Sequence, residues 1–241
     1  MFLSAILVFL ATTTLYVLPV NAACNSATGK HNFSKWRTEK KATIFETGIS
    51  IRECEKCLKI ELKTIPKKKA TKNEKAAIKT VNTFYSAAQK YNTQKMGSTL
   101  SKKTKLSVLV DKNLINYVRS KNKKLKYKIT GIKQSGKKAT VTVECDYISA
   151  YFPFYKALVD LTLYCENHPN ISNSARLKYF YQRILKYDNK KSNSLYSERD
   201  KVKIKLVKEK GKWKIDKPSK KVMDIIHCQY ESAYRDWLNG C

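Results

Sequence analysis

The sequence predicts an α+β fold: a curved antiparallel sheet packed by an N-terminal helix, with an inserted helical pair, preceded by a small β-ribbon module. Three observations lead there. Two stretches alternate apolar and polar residues around glycine-containing turns, as half-buried hairpins do. Several others repeat apolar residues at helical spacing. Hairpins and helices also follow one another in blocks rather than in strict strand–helix–strand alternation, which favours an antiparallel sheet with helices grouped around it.

The opening residues 1–23, MFLSAILVFLATTTLYVLPVNAA, contain no charged side chain. Ala5 to Leu18 is an apolar core, Pro19 ends it, and Ala22 and Ala23 supply the small residues of a cleavage site, the pattern of a secretory signal. The core is shorter than the roughly 20 apolar residues of a membrane span and is interrupted by threonines. Cleavage before Ala23 or Cys24 is therefore expected, and with it a secreted or cell-surface location. A lipid anchor on Cys24 is the alternative, against which Asn21 stands where lipoprotein signals favour an apolar residue.

Residues 24–66 read as a small Cys/His β-ribbon. Ile49 and Ile51 share one side of a first strand and Ile60 and Leu62 one side of a second, with Glu55 and Lys56 at the turn between Cys54 and Cys57. Residues 67–73, with the run Lys67–Lys69, form a linker, since adjacent like charges do not pack. The domain that follows spans 74–241. Its first helix is announced by Thr71-Lys72-Asn73-Glu74, a capping-box pattern, and by Ala77, Ile78, Val81, Phe84, Tyr85 and Ala88 on one face. A second helix is expected over Leu106, Leu109, Leu114, Ile115 and Val118. The period then changes to two. Leu125, Tyr127, Ile129 and Ile132 lead through Ser135-Gly136-Lys137 to Ala139, Val141, Val143 and Cys145, with Thr140, Thr142, Glu144 and Asp146 on the opposite face. Residues 150–188 form a helical insertion broken at Asn167-His168-Pro169-Asn170. A second hairpin runs from Val202, Ile204 and Leu206 through Lys210-Gly211 to Trp213 and Ile215, and a single helix from Lys220 to Leu238 closes the chain.

The formal net charge is +30, from 42 lysines and seven arginines against 19 acidic residues. Specific nucleic-acid readers lean on arginine, whose planar fork pairs bidentately with phosphate and guanine. Lysine spread over every segment instead predicts non-specific attraction to anionic cell-envelope polymers or lipids.

Seven cysteines occur, at 24, 54, 57, 145, 165, 228 and 241, and the odd number leaves at least one outside any disulfide. Cys24, His31, Cys54 and Cys57 form a candidate structural zinc set, because a Cys-x-x-Cys knuckle on a hairpin is a standard half-site. A Cys54–Cys57 disulfide without metal and lipidation of Cys24 remain open beside it. Cys145, Cys165 and Cys228 lie on apolar faces and read as small buried hydrophobes, with a Cys165–Cys228 bridge as an alternative.

Two resemblances arise from these residues. HNFSKW, KATIFETG and ISIRECEKCLKIELKTIP resemble the short Cys/His repeat module of exported Gram-positive proteins, with Ile44 where that pattern has a cysteine and Leu58 where it has a glycine. VNTFYSAAQKYNTQKM, KKATVTVECDY and KLVKEKGKWKID resemble the cystatin-like, nuclear-transport-factor-2-like domains of exported Firmicute lipoproteins. That resemblance implies a sheet curved into a cone with a pocket, often carrying inserted helices.

Glu144, Asp146 and Asp160 are the carboxylates that could serve as a base in such a pocket. Glu144 and Asp146 occupy the polar face of an alternating strand, where solvated acids are ordinary, and neither His168 nor His227 can be placed beside them. The aromatic runs Tyr147–Tyr155 and Tyr179–Tyr181 are read as packing, with sugar stacking as the alternative. The function expected is an exported, non-catalytic binding or scaffolding protein. An enzyme using a pocket carboxylate and a polyanion-binding protein are the alternatives.

Overall fold

A computed structural model describes residues 31–57, 59–188 and 196–240. The signal segment, Cys24 and Cys241 lie outside the described residues. The chain divides into two compact units, Met1–Lys69 and Ala70–Cys241, and the mixture of helices with two antiparallel sheets is α+β.

The first unit is a three-stranded antiparallel sheet in the order β1-β2-β3, formed by Arg37–Lys40, Gly48–Glu53 and Ile60–Ile65. β1 adds a strand to the expected two. Its return to β2 depends on Gly48, since a Cβ there would stand 2.5 Å from both the Ala42 nitrogen and the Lys40 carbonyl oxygen. Arg52 ties one face together. Its guanidinium lies 4.3 Å from the Phe33 ring centroid and 4.8 Å from that of Trp36, and it donates to Glu61. The apolar side of the ribbon departs from expectation. Ile51 does pair with Leu62 across the strands, yet Ile60 and Leu62 are 58% and 72% exposed. Among the described residues of this unit no helix covers the ribbon, so the outer strand has nothing to bury against.

The second unit holds a four-stranded antiparallel sheet in the order β4 (Lys126–Ser135), β5 (Lys138–Ile148), β6 (Ser197–Glu209) and β7 (Lys212–Ile215). Helix α1, Lys72–Ala88, starts from the capping box: Thr71 accepts from the Glu74 backbone, and Glu74 accepts from the Thr71 backbone. Its buried face, Ala77, Val81, Phe84, Tyr85 and Ala88, packs on the sheet. The helix starts at Lys72, inside the stretch 67–73 read as linker, because this cap satisfies its first backbone donors. Short helix α2, Thr93–Ser98, follows, and helix α3, Lys112–Asn122, is capped by Asp111.

Strands β4, Lys126–Ser135, and β5, Lys138–Ile148, form the first hairpin. Ala139, Val141, Val143 and Cys145 all face the core. The register slips between Ile129 and Gly131, a bulge that brings Ile129 opposite Val143 and Ile132 opposite Val141 despite their odd spacing. The helical insertion is a pair, α4 at Tyr151–Asn167 and α5 at Asn173–Asp188, broken where the turn residues predict. Strands β6, Ser197–Glu209, and β7, Lys212–Ile215, form the second hairpin. Lys210 and Gly211 at its tip have φ of 46° and 79°, the two positive values a tight primed turn requires.

Two helical readings are corrected. Leu106 and Leu109 lie in the non-helical stretch 102–110, not in a helix. That stretch is bound elsewhere: the Ser101 amide donates to the Ile215 carbonyl, the Ser101 and Thr104 hydroxyls bond the Asp216 carbonyl, and the Leu109 amide donates to the Tyr91 hydroxyl. The expected single helix from Lys220 to Leu238 is two, α6 at Lys220–Ile226 and α7 at Tyr230–Asn239. Between them Cys228 and Gln229 adopt the left-handed region, with φ of 55° and 68°. Among the described residues no helix is long and apolar enough to cross a membrane.

Candidate functional site

Three of the four predicted metal ligands come together. The ligand atoms of His31, Cys54 and Cys57 all lie within 4.8 Å of one another; Cys24 is outside the described residues. Local structure explains the cluster. Cys54 and Cys57 sit at the two ends of the β2–β3 turn, closed by the Cys54 amide donating to the Lys59 carbonyl at 2.8 Å. The segment carrying His31 is laid against that turn: Phe33 bridges Cys54, the Glu55 amide donates to the Asn32 carbonyl, and the Ser34 amide donates to the Glu53 carbonyl. This places His31 Nδ1 3.3 Å from Cys57 Sγ.

Tetrahedral zinc, with bonds of about 2.3 Å to sulfur and about 2.0 Å to nitrogen, sets its donors roughly 3.5–3.8 Å apart. The two sulfurs and one imidazole nitrogen offer donors for three corners of such a set, with the His31–Cys57 pair at 3.3 Å and the whole group within 4.8 Å. One neighbour must adjust. Lys59 Nζ is 3.4 Å from His31 Nε2, and an imidazole bound to metal through Nδ1 carries its proton on Nε2, so the exposed ammonium has to turn away. Cys54 and Cys57 are not joined to each other as a disulfide.

The candidate carboxylates are not brought together. Asp146 is paired with Arg199, whose hydrogen bond holds it below the usual carboxylate range. Glu144 pairs with Lys201 at 3.1 Å. Asp160 lies on α4, bonded to Arg183 and accepting from the Tyr187 hydroxyl. His168 packs on Tyr164 at the end of α4, and its Nδ1 sits 2.9 Å from the Tyr164 carbonyl. The sheet face beneath α1 is filled by side chains, Tyr85, Val141, Val143 and Cys145 among them, each fully buried. The aromatic runs are packing too. Phe154 is fully buried between Tyr117 and Tyr230, and Tyr164 and Tyr179 stack at 3.9 Å to join α4 to α5.

The Cys165–Cys228 bridge held open as an alternative does not form, and Cys165, read as a buried hydrophobe, is only half-buried. Cys228 is turned into the core, where its thiol donates to Asn122 Oδ1 at 3.5 Å. Burial pushes its pKa up to about 12 and that of Cys145 to about 11. Neither is a ready nucleophile, since the thiolate is the reactive form.

Sequence reasoning missed the α6–α7 corner. His227, Cys228 and Gln229 are all buried there. His227 Nδ1 is bonded to Glu231 Oε1, while its Nε2 is buried without a hydrogen-bond partner among the described residues. Gln229 Nε2 lies 2.8 Å from the Tyr147 hydroxyl and 2.5 Å from Glu198 Oε2, and its Oε1 accepts from Ser149 at 2.8 Å. Tyr147, whose pKa burial raises far above its ordinary value, donates to Asp200 at 2.7 Å, and Lys221 reaches the same carboxylate at 2.8 Å. Beside this corner a cavity of about 780 Å³ opens between Lys105–Ser107 and the two helices. Its rim draws on KPSKK at 217–221, a cluster that a chain so uniformly rich in lysine does not make conspicuous.

No family model matches the chain. No curated protein matches it. Among solved structures it is similar to the crystal structure of a Bacillus subtilis protein provisionally named a lipoprotein, at 13% identity and a TM-score of 0.34, over 76% of this chain and 68% of that one.

Proposed function

We propose that the chain is an exported, cell-surface or secreted binding protein without catalytic activity, built from a zinc-held ribbon and an α+β binding unit. One observation carries the non-catalytic reading: each of the three carboxylates the sequence singles out as a candidate base is committed to a cationic partner, Asp146 to Arg199, Glu144 to Lys201 and Asp160 to Arg183. A general base has to be within reach of a substrate proton, and these are held on strand and helix surfaces instead. Zinc at His31, Cys54 and Cys57 acts as a clamp on a module too small to hold itself by apolar burial. Export rests on the apolar opening segment. The partners proposed are anionic envelope polymers or lipids, attracted non-specifically by the lysine-rich surface.

The test is expression in a Gram-positive host followed by fractionation. The protein is expected in the envelope or medium, cleaved near Ala23 or Cys24, and released from the envelope by rising salt because exposed charges are screened. A variant combining Glu144→Gln, Asp146→Asn and Asp160→Asn should be retained as the parent is. Cytosolic protein with residues 1–20 still attached defeats the export reading, and envelope retention that survives high salt defeats the non-specific one.

A further inference from the structure

The cavity beside the α6–α7 corner has two chemically distinct parts. Its rim carries Lys105, Lys217, Lys220, Lys221 and Arg235, all exposed. Its walls include Leu106, Pro218 and Met223. A volume of about 780 Å³ lies within the usual size of a small-molecule site, about 300–1,000 Å³.

Charge around the cavity is unbalanced. Two carboxylates line it against these five cations: Asp224 accepts from the Ser232 amide at 3.0 Å and from its hydroxyl at 2.6 Å, and Glu231 Oε1 is bonded to His227 while its Oε2 has no hydrogen-bond partner among the described residues. Lys221 is held by Asp200, and Arg235 contacts Asp236. Lys105, Lys217 and Lys220 make no ion pair among the described residues. Like charges gathered at one mouth repel one another, and an anion placed there removes that repulsion. An inorganic anion alone would leave the apolar wall in water, and an uncharged apolar molecule would leave the lysines uncompensated. Lysine ammoniums act as point charges and lack the bidentate geometry that would single out one planar anion, so phosphate and carboxylate heads are served alike.

We propose that this cavity binds an anionic amphiphile, a phosphate or carboxylate head carried on one alkyl chain, with the head between Lys217, Lys220 and Lys105 and the chain against Leu106, Pro218 and Met223. This deepens the binding-protein reading and rests on it for biological meaning, while the cavity's chemistry is measurable in the purified protein alone.

The probe is dodecyl phosphate below its micellar concentration, titrated calorimetrically into the purified full chain. Inorganic phosphate and dodecyltrimethylammonium are the comparisons, and anionic phosphatidylglycerol vesicles separate a free amphiphile from a membrane surface. Saturable binding is expected for dodecyl phosphate, with each comparison compound at least about tenfold weaker, a difference of about 1.4 kcal/mol. The double variant Lys217→Glu, Lys220→Glu should lose at least about tenfold, whereas Lys203→Glu, Lys205→Glu, an equal charge change on β6, should not. Ser107→Trp, a substitution at an exposed lining residue, should also weaken binding with unchanged circular dichroism. Equal affinity for inorganic phosphate or for the cationic detergent overturns the proposal, as does indifference to the Lys217/Lys220 change. Vesicle binding without monomer binding overturns it as well, since diffuse lysine charge then suffices. A chain that stays on the envelope but ignores dodecyl phosphate sinks the cavity alone. One that binds dodecyl phosphate but remains cytosolic sinks the export reading alone.

Discussion

The Gln229 side-chain amide donates to the Tyr147 hydroxyl at 2.8 Å, joining the α6–α7 corner to the end of β5. Gln229 stands at φ 68°, a conformation that costs an L-residue about 1–2 kcal/mol. The bond to Tyr147, the bonds to Glu198 and Ser149, and the Gln229 amide donating to the Asp224 carbonyl at 2.7 Å offset that cost. Removing one partner strands buried polar groups, at about 1–3 kcal/mol. Gln229→Ala and Tyr147→Phe are each expected to lower the unfolding free energy by about that amount. The double variant should lose less than the sum, because both changes act on one network. Urea unfolding of the three variants measures this, and strict additivity would show that the two residues act separately.

The same corner makes stability depend on acid. Burial acts to raise the Asp200 pKa, but the hydrogen bonds from Lys221 and Tyr147 prevail and leave it below the ordinary carboxylate value. With a depressed folded value, the unfolded chain binds more protons wherever Asp200 titrates. Its stabilisation is therefore complete above the unfolded value, about 3.9, and is lost as pH falls through the folded one. The stability gap between the parent and Asp200→Asn should stay level from neutral pH down to about 4 and shrink below it. A gap that stays constant down to pH about 2.5 contradicts this assignment.

Thiol reactivity should divide by burial. Cys145 and Cys228 are buried with pKa values pushed up to about 11 and 12. Native alkylation at pH about 8, close to the ordinary cysteine pKa, is expected to spare both while modifying the half-buried Cys165. Denaturation should expose all three. Peptide mass mapping reads the outcome, and rapid labelling of native Cys228 would show that the corner opens.

Zinc occupancy is tested by native mass spectrometry of the purified protein. One zinc adduct is expected, lost in Cys57→Ser, Cys54→Ser and His31→Gln. Lys59→Met should tighten binding, because an ammonium 3.4 Å from His31 Nε2 opposes a bound cation. A mass two hydrogens short with no metal identifies a disulfide and removes the site. The clamp should affect the small unit alone: its thermal transition should fall on chelation, and that of the larger unit should hold.

Much of this architecture is readable along the chain. Thr71 and Glu74 are three residues apart, so their capping box needs only local sequence. Lys210-Gly211 between alternating strands likewise announces its own turn. The knuckle was legible for the same reason, since Cys54 and Cys57 share one turn; His31 joins them only because the 32–34 segment pairs with that turn. The ribbon's apolar face misled, because alternation says which residues share a side and not whether anything covers it.

Local residue patterns suffice for the α+β class, the two hairpins with their inward residues, the broken helical pair and the capped first helix. Each of these rests on periodicity or turn chemistry within a few residues. Where the last helix breaks, why 102–110 is not a helix, and which lysines stand together are set by long-range contacts instead. Those features depend on partners far apart in the chain: Asn122 donating to the Ile226 carbonyl, Ser101 to that of Asp216, and Gln229 to Tyr147. A helical pattern persists in sequence wherever apolar residues recur, but the backbone leaves the helix where distant polar groups offer bonds that a continued helix would forgo.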